Sequence, residues 1–239
     1  MGIRIESIAT ALPSQYISSE DFVNKLDGYI TDGVAEMLQS MAIKNRYSVV
    51  ENYPDYLAGK VKRNLTTDVN GLAVESIHKC LAKAKCESLG LFIAITNTAV
   101  RPLPCTGYEI LSLVSSDLIP RDVNVVNMQN QGCSVLIKAL EIGHDYLASH
   151  PDKKVLITVS EAHTALIDSL EDKGKVFSFK ELGNVACDEN EKTQEMEKLH
   201  NLINSYLFGD GSVSLLLGNN ETKTDFHHIT NIESSDTEL

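Results

Sequence analysis

Asp122-Val123-Asn124-Val125-Val126-Asn127, the turn Gln131-Gly132-Cys133-Ser134 and the run Val135-Leu136-Ile137-Lys138-Ala139-Leu140-Glu141-Ile142-Gly143 follow one another almost without a break. The first piece reads as an apolar strand and the last as an apolar helix, joined by a glycine turn that ends in a cysteine. The helix carries apolar side chains round much of its circumference, with Tyr146 and Leu147 extending the pattern. Such a helix is expected in the middle of a structure. A thiol at the first turn of a helix sees the positive end of the helix dipole and unpaired N–H groups, which favour the nucleophilic thiolate. Taken by itself a free cysteine is more often a small core residue. At the head of a central helix, Cys133 is expected at the bottom of a tunnel.

Outward from this stretch, short apolar runs alternate with helical patterns. Strands are read at Ile3 to Ile8, Gly90 to Thr96, Val123 to Val126, Val155 to Val159 and Val213 to Leu217. Helices are read from Ser19, from Thr67 to Lys85, from Tyr108 to Leu118 and from Ser134 to Ser149, whereas Met41 to Tyr47 shows no clean period. Near-continuous apolar strands separated by helices predict an α/β fold, a mixed, mostly parallel five-stranded sheet with helices on both faces. The segment from Ile167 to Ser205 is different, because Asp188 to Lys198 holds five acids and two lysines. It reads as a solvated loop leading into an exposed helix, the functional alternative being a lid or partner surface.

The bulk numbers exclude several classes. A net charge of −12 over 239 residues, with no basic stripe, argues against a nucleic-acid partner. Five cysteines (Cys80, Cys86, Cys105, Cys133, Cys187) form no C-x-x-C pair and are odd in number. That favours reduced thiols and a cytoplasmic setting over a disulfide framework or a zinc site. Adjacent His227 and His228 would point to opposite faces of a strand and cannot serve one metal, so no metal is expected. Met1 to Glu6 reads as the start of a first strand, not a signal peptide, and no apolar run approaches a membrane span.

Four pieces carry a family likeness in order: Ala11-Leu12-Pro13, Ile43-Lys44-Asn45-Arg46, Gln131-Gly132-Cys133 and Leu207-Phe208-Gly209-Asp210-Gly211-Ser212. Val155 to Glu161 adds a lesser match. Together they resemble the thiolase-fold condensing enzymes, in the branch of ketoacyl synthase III and the type III, chalcone synthase-like polyketide synthases. The resemblance implies that residues 1–239 form a thiolase-like N-terminal domain with an acidic insertion at about 167–205. Phe226 to Ile232 resembles the last strand of that half, and the family's C-terminal half is absent.

By the same resemblance Cys133 takes an acyl group from a CoA or carrier-protein thioester, for decarboxylative Claisen condensation with a malonyl thioester. That thioester is the substrate, and no tightly bound cofactor is implied. Thr98 matches a pocket-lining threonine, Phe208 a tunnel-gating phenylalanine, and Leu103 a residue pushed into a dimer partner's cavity. The family's catalytic histidine and asparagine come from its second half, so a homo-dimer or a hetero-oligomer with a chain supplying His and Asn is implied. Hydroxymethylglutaryl-CoA synthases carry a general-acid glutamate near Asn97, and an amide there disfavours aldol-type chemistry. Ser134-Val135-Leu136 is bulkier than the small residues usual in the family. His163, just after Glu161, either faces the cavity or is a neutral, hydrogen-bonded histidine. The competing reading is a non-catalytic thiolase-like partner that stabilises or regulates a catalytic chain.

Overall fold

A computed structural model of the chain describes residues 2–84, 86–170, 175–185 and 188–220. In chain order the elements are β1 (Gly2–Ala11), β2 (Gln15–Ser18), α1 (Ser19–Lys25), α2 (Asp32–Ser40), β3 (Asn45–Ser48), α3 (Tyr53–Leu57), α4 (Val69–Lys83) and β4 (Leu89–Thr96). There follow α5 (Thr106–Leu113), β5 (Asn124–Gln129), α6 (Val135–Ser149), β6 (Lys154–Glu161), α7 (Phe179–Leu182), α8 (Glu189–Leu207) and β7 (Gly211–Asn220). They divide into two units. The first holds β1, α4 to β6 and β7; the second is built from residues 12–68 and 162–210.

The first unit is the expected five-stranded sheet, in the order β1-β7-β6-β4-β5. The pairs β4–β5 and β4–β6 are parallel, whereas β7 runs antiparallel to both β1 and β6. Four strands therefore point one way and β7 the other. The chain leaves β4 outward to β5 through α5, then returns across β4 to β6 through α6. Two crossovers of one hand in opposite directions put their helices on opposite faces. The packing agrees: Ile110 of α5 and Ala73 and Ile77 of α4 lie against Phe92, Ala94 and Leu156. On the other face Val135, Ala139 and Leu147 of α6 lie against Leu91, Ile93, Ile95 and Ile157. Burying Val135 and Leu147 contributes about 2 kcal/mol each. Ala139 and Gly143, one turn apart, let α6 sit close to the sheet; a Cβ on Gly143 would come 3.0 Å from Leu217 Cδ1.

Among the described residues, only that side of α6 is covered. Ile137 is 60% exposed, and Ile142, Lys138 and Glu141 also face outward. The apolar circumference that reads as a central helix is thus met by one sheet, and the opposite flank lies open.

Under α4 the sheet carries a row of buried hydroxyls. Ser76 Oγ lies 2.8 Å from Ser212 Oγ and 2.7 Å from Ser214 Oγ, and Thr158 Oγ1 lies 2.9 Å from Ser214 Oγ. Each hydroxyl both donates and accepts, so the row satisfies itself away from water.

At the edge of the same sheet, Glu6 of β1 meets Lys154 of β6 across β7. The contact is possible because Gly218 stands between them, where a Cβ would lie 2.8 Å from Lys154 Nζ. Burial pushes the Glu6 carboxyl up, but Lys154 and Arg4 outweigh it and hold the group below the usual glutamate value of 4.5. A depressed folded value means stability that is present above about pH 4.5 and lost as the pH falls through the folded value. Lys154→Met should therefore move the acid-unfolding midpoint to higher pH, followed by circular dichroism. An unchanged midpoint would remove this account of the contact.

The second unit is built differently. A two-stranded sheet pairs Gln15↔Ser48 through Ser18↔Asn45, so the stretch without a clean period holds a short strand. Arg46 of that strand is buried, its guanidinium carbon 4.1 Å from the Tyr206 ring and 4.7 Å from the Phe22 ring. Its Nε donates to the Tyr206 carbonyl at 3.1 Å and its Nη2 to Ser19 Oγ at 3.0 Å. A cation stacked on aromatic faces replaces the carboxylate partner that a buried arginine usually has.

Two further readings need correction. The helix expected to reach Leu118 ends at Leu113, because Val114 is extended and Ser115 Oγ accepts the Asp117 N–H at 3.3 Å, turning the chain. The acidic stretch is the N-terminal half of α8. There Asp188 caps the helix by accepting the Glu191 N–H, and the acids of the first turn complement the helix dipole. Farther along, Leu199, Leu202 and Tyr206 are buried, so α8 is not a merely exposed helix. Cys187 and the run from Phe226 to Ile232, with His227 and His228, lie outside the described residues.

Candidate active site

The C-terminal ends of three parallel strands meet around Cys133. Register pairs Ile95 of β4 with Val159 of β6, so two residues on, Asn97 and Glu161 stand side by side. On the other flank Thr96 pairs with Gln129 of β5, and the Cys133 turn begins at the next residue. Crevices beyond the carboxyl ends of parallel strands, where the strand order reverses, are where α/β sheets place their sites.

The turn is held by several specific contacts. The Asn130 N–H donates to the Thr96 carbonyl at 3.2 Å. Asn130 and Gly132 have φ of 56° and 79°, left-handed values that asparagine and glycine tolerate best. A Cβ on Gly132 would meet nothing within 4 Å, so backbone angle and not crowding calls for glycine there. The Gly132 N–H donates to Asn97 Oδ1 at 3.0 Å. Asn97 in turn donates from Nδ2 to Glu161 Oε1 at 2.8 Å, and its backbone N–H is shared between both carboxylate oxygens at 2.8 and 3.1 Å. Nearby, Gln129 Nε2 donates to Thr106 Oγ1 and Asn127 Oδ1 accepts the Gly107 N–H, fixing the end of β5 to the start of α5.

Cys133 itself is exposed. The helix begins at Val135 with Ser134 as its cap, so the cysteine sits one residue before the cap and not within the first turn. Among the described residues nothing encloses the cysteine, so it is not at the bottom of a tunnel as the sequence reading expects.

Thr98 is buried, and its hydroxyl donates to Glu161 Oε2 at 2.9 Å. Leu103 is 80% exposed on the loop that Arg101 ties down by pairing with Glu109 at 2.5 Å. Phe208 belongs to the second unit, where its ring stacks on His163 with centroids 4.5 Å apart. Together with Leu166, Asp168, Asn201 and Asn204 they line a cleft of about 340 Å³. The unit of Cys133 thus brings together Cys133, Asn97, Thr98 and Glu161. The pairing of Asn97 with both Glu161 and Gly132 was not foreseen. Its signal lay in two residues of hydrogen-bonding type at strand ends, Asn97 just past β4 and Glu161 closing β6.

The Asp210 of the glycine turn before β7 is also buried. It accepts the Val49 N–H at 2.7 Å, the Thr164 N–H at 3.0 Å and the Thr164 hydroxyl. Burial pushes its carboxyl up, against the pull of these donors. The aspartate ties three segments of the second unit together. Among the described residues no group of three or more His, Cys, Asp or Glu side chains is placed to hold a metal ion, and no helix is long and apolar enough to cross a membrane.

No family model and no curated protein matches the chain. Solved structures do match. The tetronic acid condensing enzyme AbyA1 superposes with a TM-score of 0.65 at 17% identity, over 93% of this chain and 56% of that one. The C-terminal type III polyketide synthase domain of Steely1 from Dictyostelium gives 0.66 at 16% identity, over 92% and 57%. The 3-oxoacyl-[acyl-carrier-protein] synthase III of Aquifex aeolicus VF5 gives 0.60 at 18% identity, over 93% and 55%. The fold is therefore that of the thiolase-type condensing enzymes, and the chain spans about half the length of the solved structures it matches.

Proposed function

We propose that this chain is the nucleophile-bearing half of a condensing acyltransferase. The observation that carries the reading is an accessible cysteine held on a hydrogen-bonded turn at the carboxyl ends of parallel strands, in a fold shared with ketoacyl synthase III and type III polyketide synthases. The Cys133 thiolate attacks the carbonyl of an acyl-CoA or acyl-carrier-protein thioester. The carbonyl–sulfur bond to the carrier breaks, the acyl group remains on Cys133, and the carrier thiolate takes up the proton that Cys133 gave up. The Cys133 backbone N–H, beside the head of α6, serves as one donor for the tetrahedral oxyanion. Thr98, Leu103 and Phe208 are proposed as substrate-contacting positions, and condensation as a step that needs a second half or partner chain with histidine and asparagine.

The half-length coverage and the open flank of α6 favour one other reading, a non-catalytic subunit that stabilises or regulates a catalytic chain. Intact mass separates the two. Incubation with a short acyl-CoA should add one acyl group to the wild type and none to Cys133→Ser. Acylation that persists in Cys133→Ser would move the nucleophile elsewhere. A wild type that stays unmodified, with Cys133 alkylated by iodoacetamide no faster than the buried Cys80, would leave the regulatory reading.

A further inference from the structure

The turn that presents Cys133 is held by one side chain that touches both a carboxylate and the turn itself. Asn97 reaches Glu161 through Nδ2 at 2.8 Å and the Gly132 N–H through Oδ1 at 3.0 Å. The orientation of the amide is set by chemistry: an ionised carboxylate only accepts and an N–H only donates, so the NH2 must face Glu161 and the oxygen must face Gly132. No other residue type of this size offers a donor on one side and an acceptor on the other. Aspartate would set a second negative charge against Glu161, leucine would offer neither group, and glutamine is one carbon too long for both contacts.

We propose that Asn97 is a positioning residue for Cys133, which locks the nucleophile's turn to β6 through Glu161. The proposal rests on the reading of Cys133 as the acyl acceptor. Gly132 is the residue immediately before the cysteine and has a left-handed φ, so its N–H orientation and the direction of the next residue are coupled. Fixing the Gly132 N–H therefore fixes where the Cys133 side chain leaves the turn. Glu161 is the anchor: it accepts from Asn97 twice and from the Thr98 hydroxyl, at the end of a fully paired strand. The sequence thus spends two polar residues at adjacent strand ends on holding a backbone amide.

A charge-swap series tests this. Asn97→Asp places two carboxylates in contact and should break the bridge. In Asn97→Asp/Glu161→Gln the amide and the carboxylate exchange places. The glutamine NH2 then donates to the introduced aspartate, whose other oxygen still accepts the Gly132 N–H. The backbone N–H of the same position, shared between both oxygens of Glu161 in the wild type, keeps the glutamine oxygen as acceptor. Two readouts follow the series: exchange of the Gly132 amide proton by NMR, and the rate of Cys133 alkylation by iodoacetamide.

Loss of one hydrogen bond should speed Gly132 exchange about tenfold in Asn97→Asp, with slower Cys133 alkylation. The double variant should return both toward the wild type. A single variant that changes neither readout overturns the proposal. So does a double variant no closer to the wild type than the single one, because a role in packing alone would not be rescued by exchanging charges. Gly132 exchange that follows the series, in a protein whose Cys133 takes no acyl group from acyl-CoA, sinks the acyl-acceptor reading and leaves the turn-holding role standing.

Discussion

Malonyl-CoA incubated with the 239-residue chain alone is expected to release carbon dioxide no faster than in buffer. Decarboxylation leaves an enolate whose charge must be met by positioned donors, and removing a single donor of this kind typically costs about 10²–10³ in rate. Among the described residues of the unit that carries Cys133, no histidine is placed for that role. His144 and His150 both belong to the α6 segment, and His150 follows its last residue. At 1.5 Å per residue, it is about 22 Å from the Cys133 end of the helix. His144 faces Asp145 at 3.1 Å and His150 stacks on Tyr146 with centroids 4.3 Å apart. His78 is on α4, on the other face of the sheet. Asn97, the amide that holds the turn of the cysteine, has both ends engaged. A carboxyl-labelled malonyl-CoA assay checks this. Release at enzymatic rates by the monomeric chain would show that the donors are present after all, and the need for a partner would fall.

Asp210→Ala is expected to cost the second unit about 4 kcal/mol, since a buried donor left without an acceptor costs about 1–3 kcal/mol and the terms are not fully additive. Three donors lose their acceptor together: the Val49 N–H, the Thr164 N–H and the Thr164 hydroxyl. Relief from removing a buried carboxyl, already pushed up by its surroundings, offsets only part of the loss. Asp210→Asn keeps one acceptor and drops the charge, and should cost about half as much. Urea unfolding with hydrogen exchange read at Val49 and Thr164 measures both variants. Equal costs for alanine and asparagine would mean that filling space, not accepting hydrogen bonds, is what Asp210 does.

The sheet was legible because its inner strands β4 and β6 are near-continuous apolar runs. Leu89 to Thr96 is buried at every position, and a run that can show no polar face to water must be covered on both sides. The second unit was not legible for the opposite reason. Asn45-Arg46-Tyr47-Ser48 alternates partly and fully buried polar residues, and Arg46 is internal because two aromatic rings, a carbonyl and a hydroxyl distant in sequence receive its cation. The helix after Cys133 was placed correctly within a residue. Its apolar pattern could say which side chains avoid water but not how many sheets are present to cover them, so the exposure of Ile137 and of Cys133 was missed. At the site, Asn97, Glu161 and Cys133 each drew notice separately. What joined them was the parallel register of β4 with β6, and register depends on pairing across the sheet, which no local window contains.

The position of β7 has a consequence for how the molecule is made. This strand lies between β1 and β6, yet it follows every other strand of the sheet in the chain. At about 5–20 residues per second, some ten to forty seconds separate the emergence of β1 from that of β7 during synthesis. Throughout that interval the parallel strands β4, β5 and β6 can assemble on the ribosome, but β1 has no neighbour to pair with. The nascent chain therefore carries an unmatched first strand, its backbone hydrogen bonds unmade, until β7 arrives to join the two parts. A ribosome pause that keeps β7 from emerging would prolong the aggregation-prone stage.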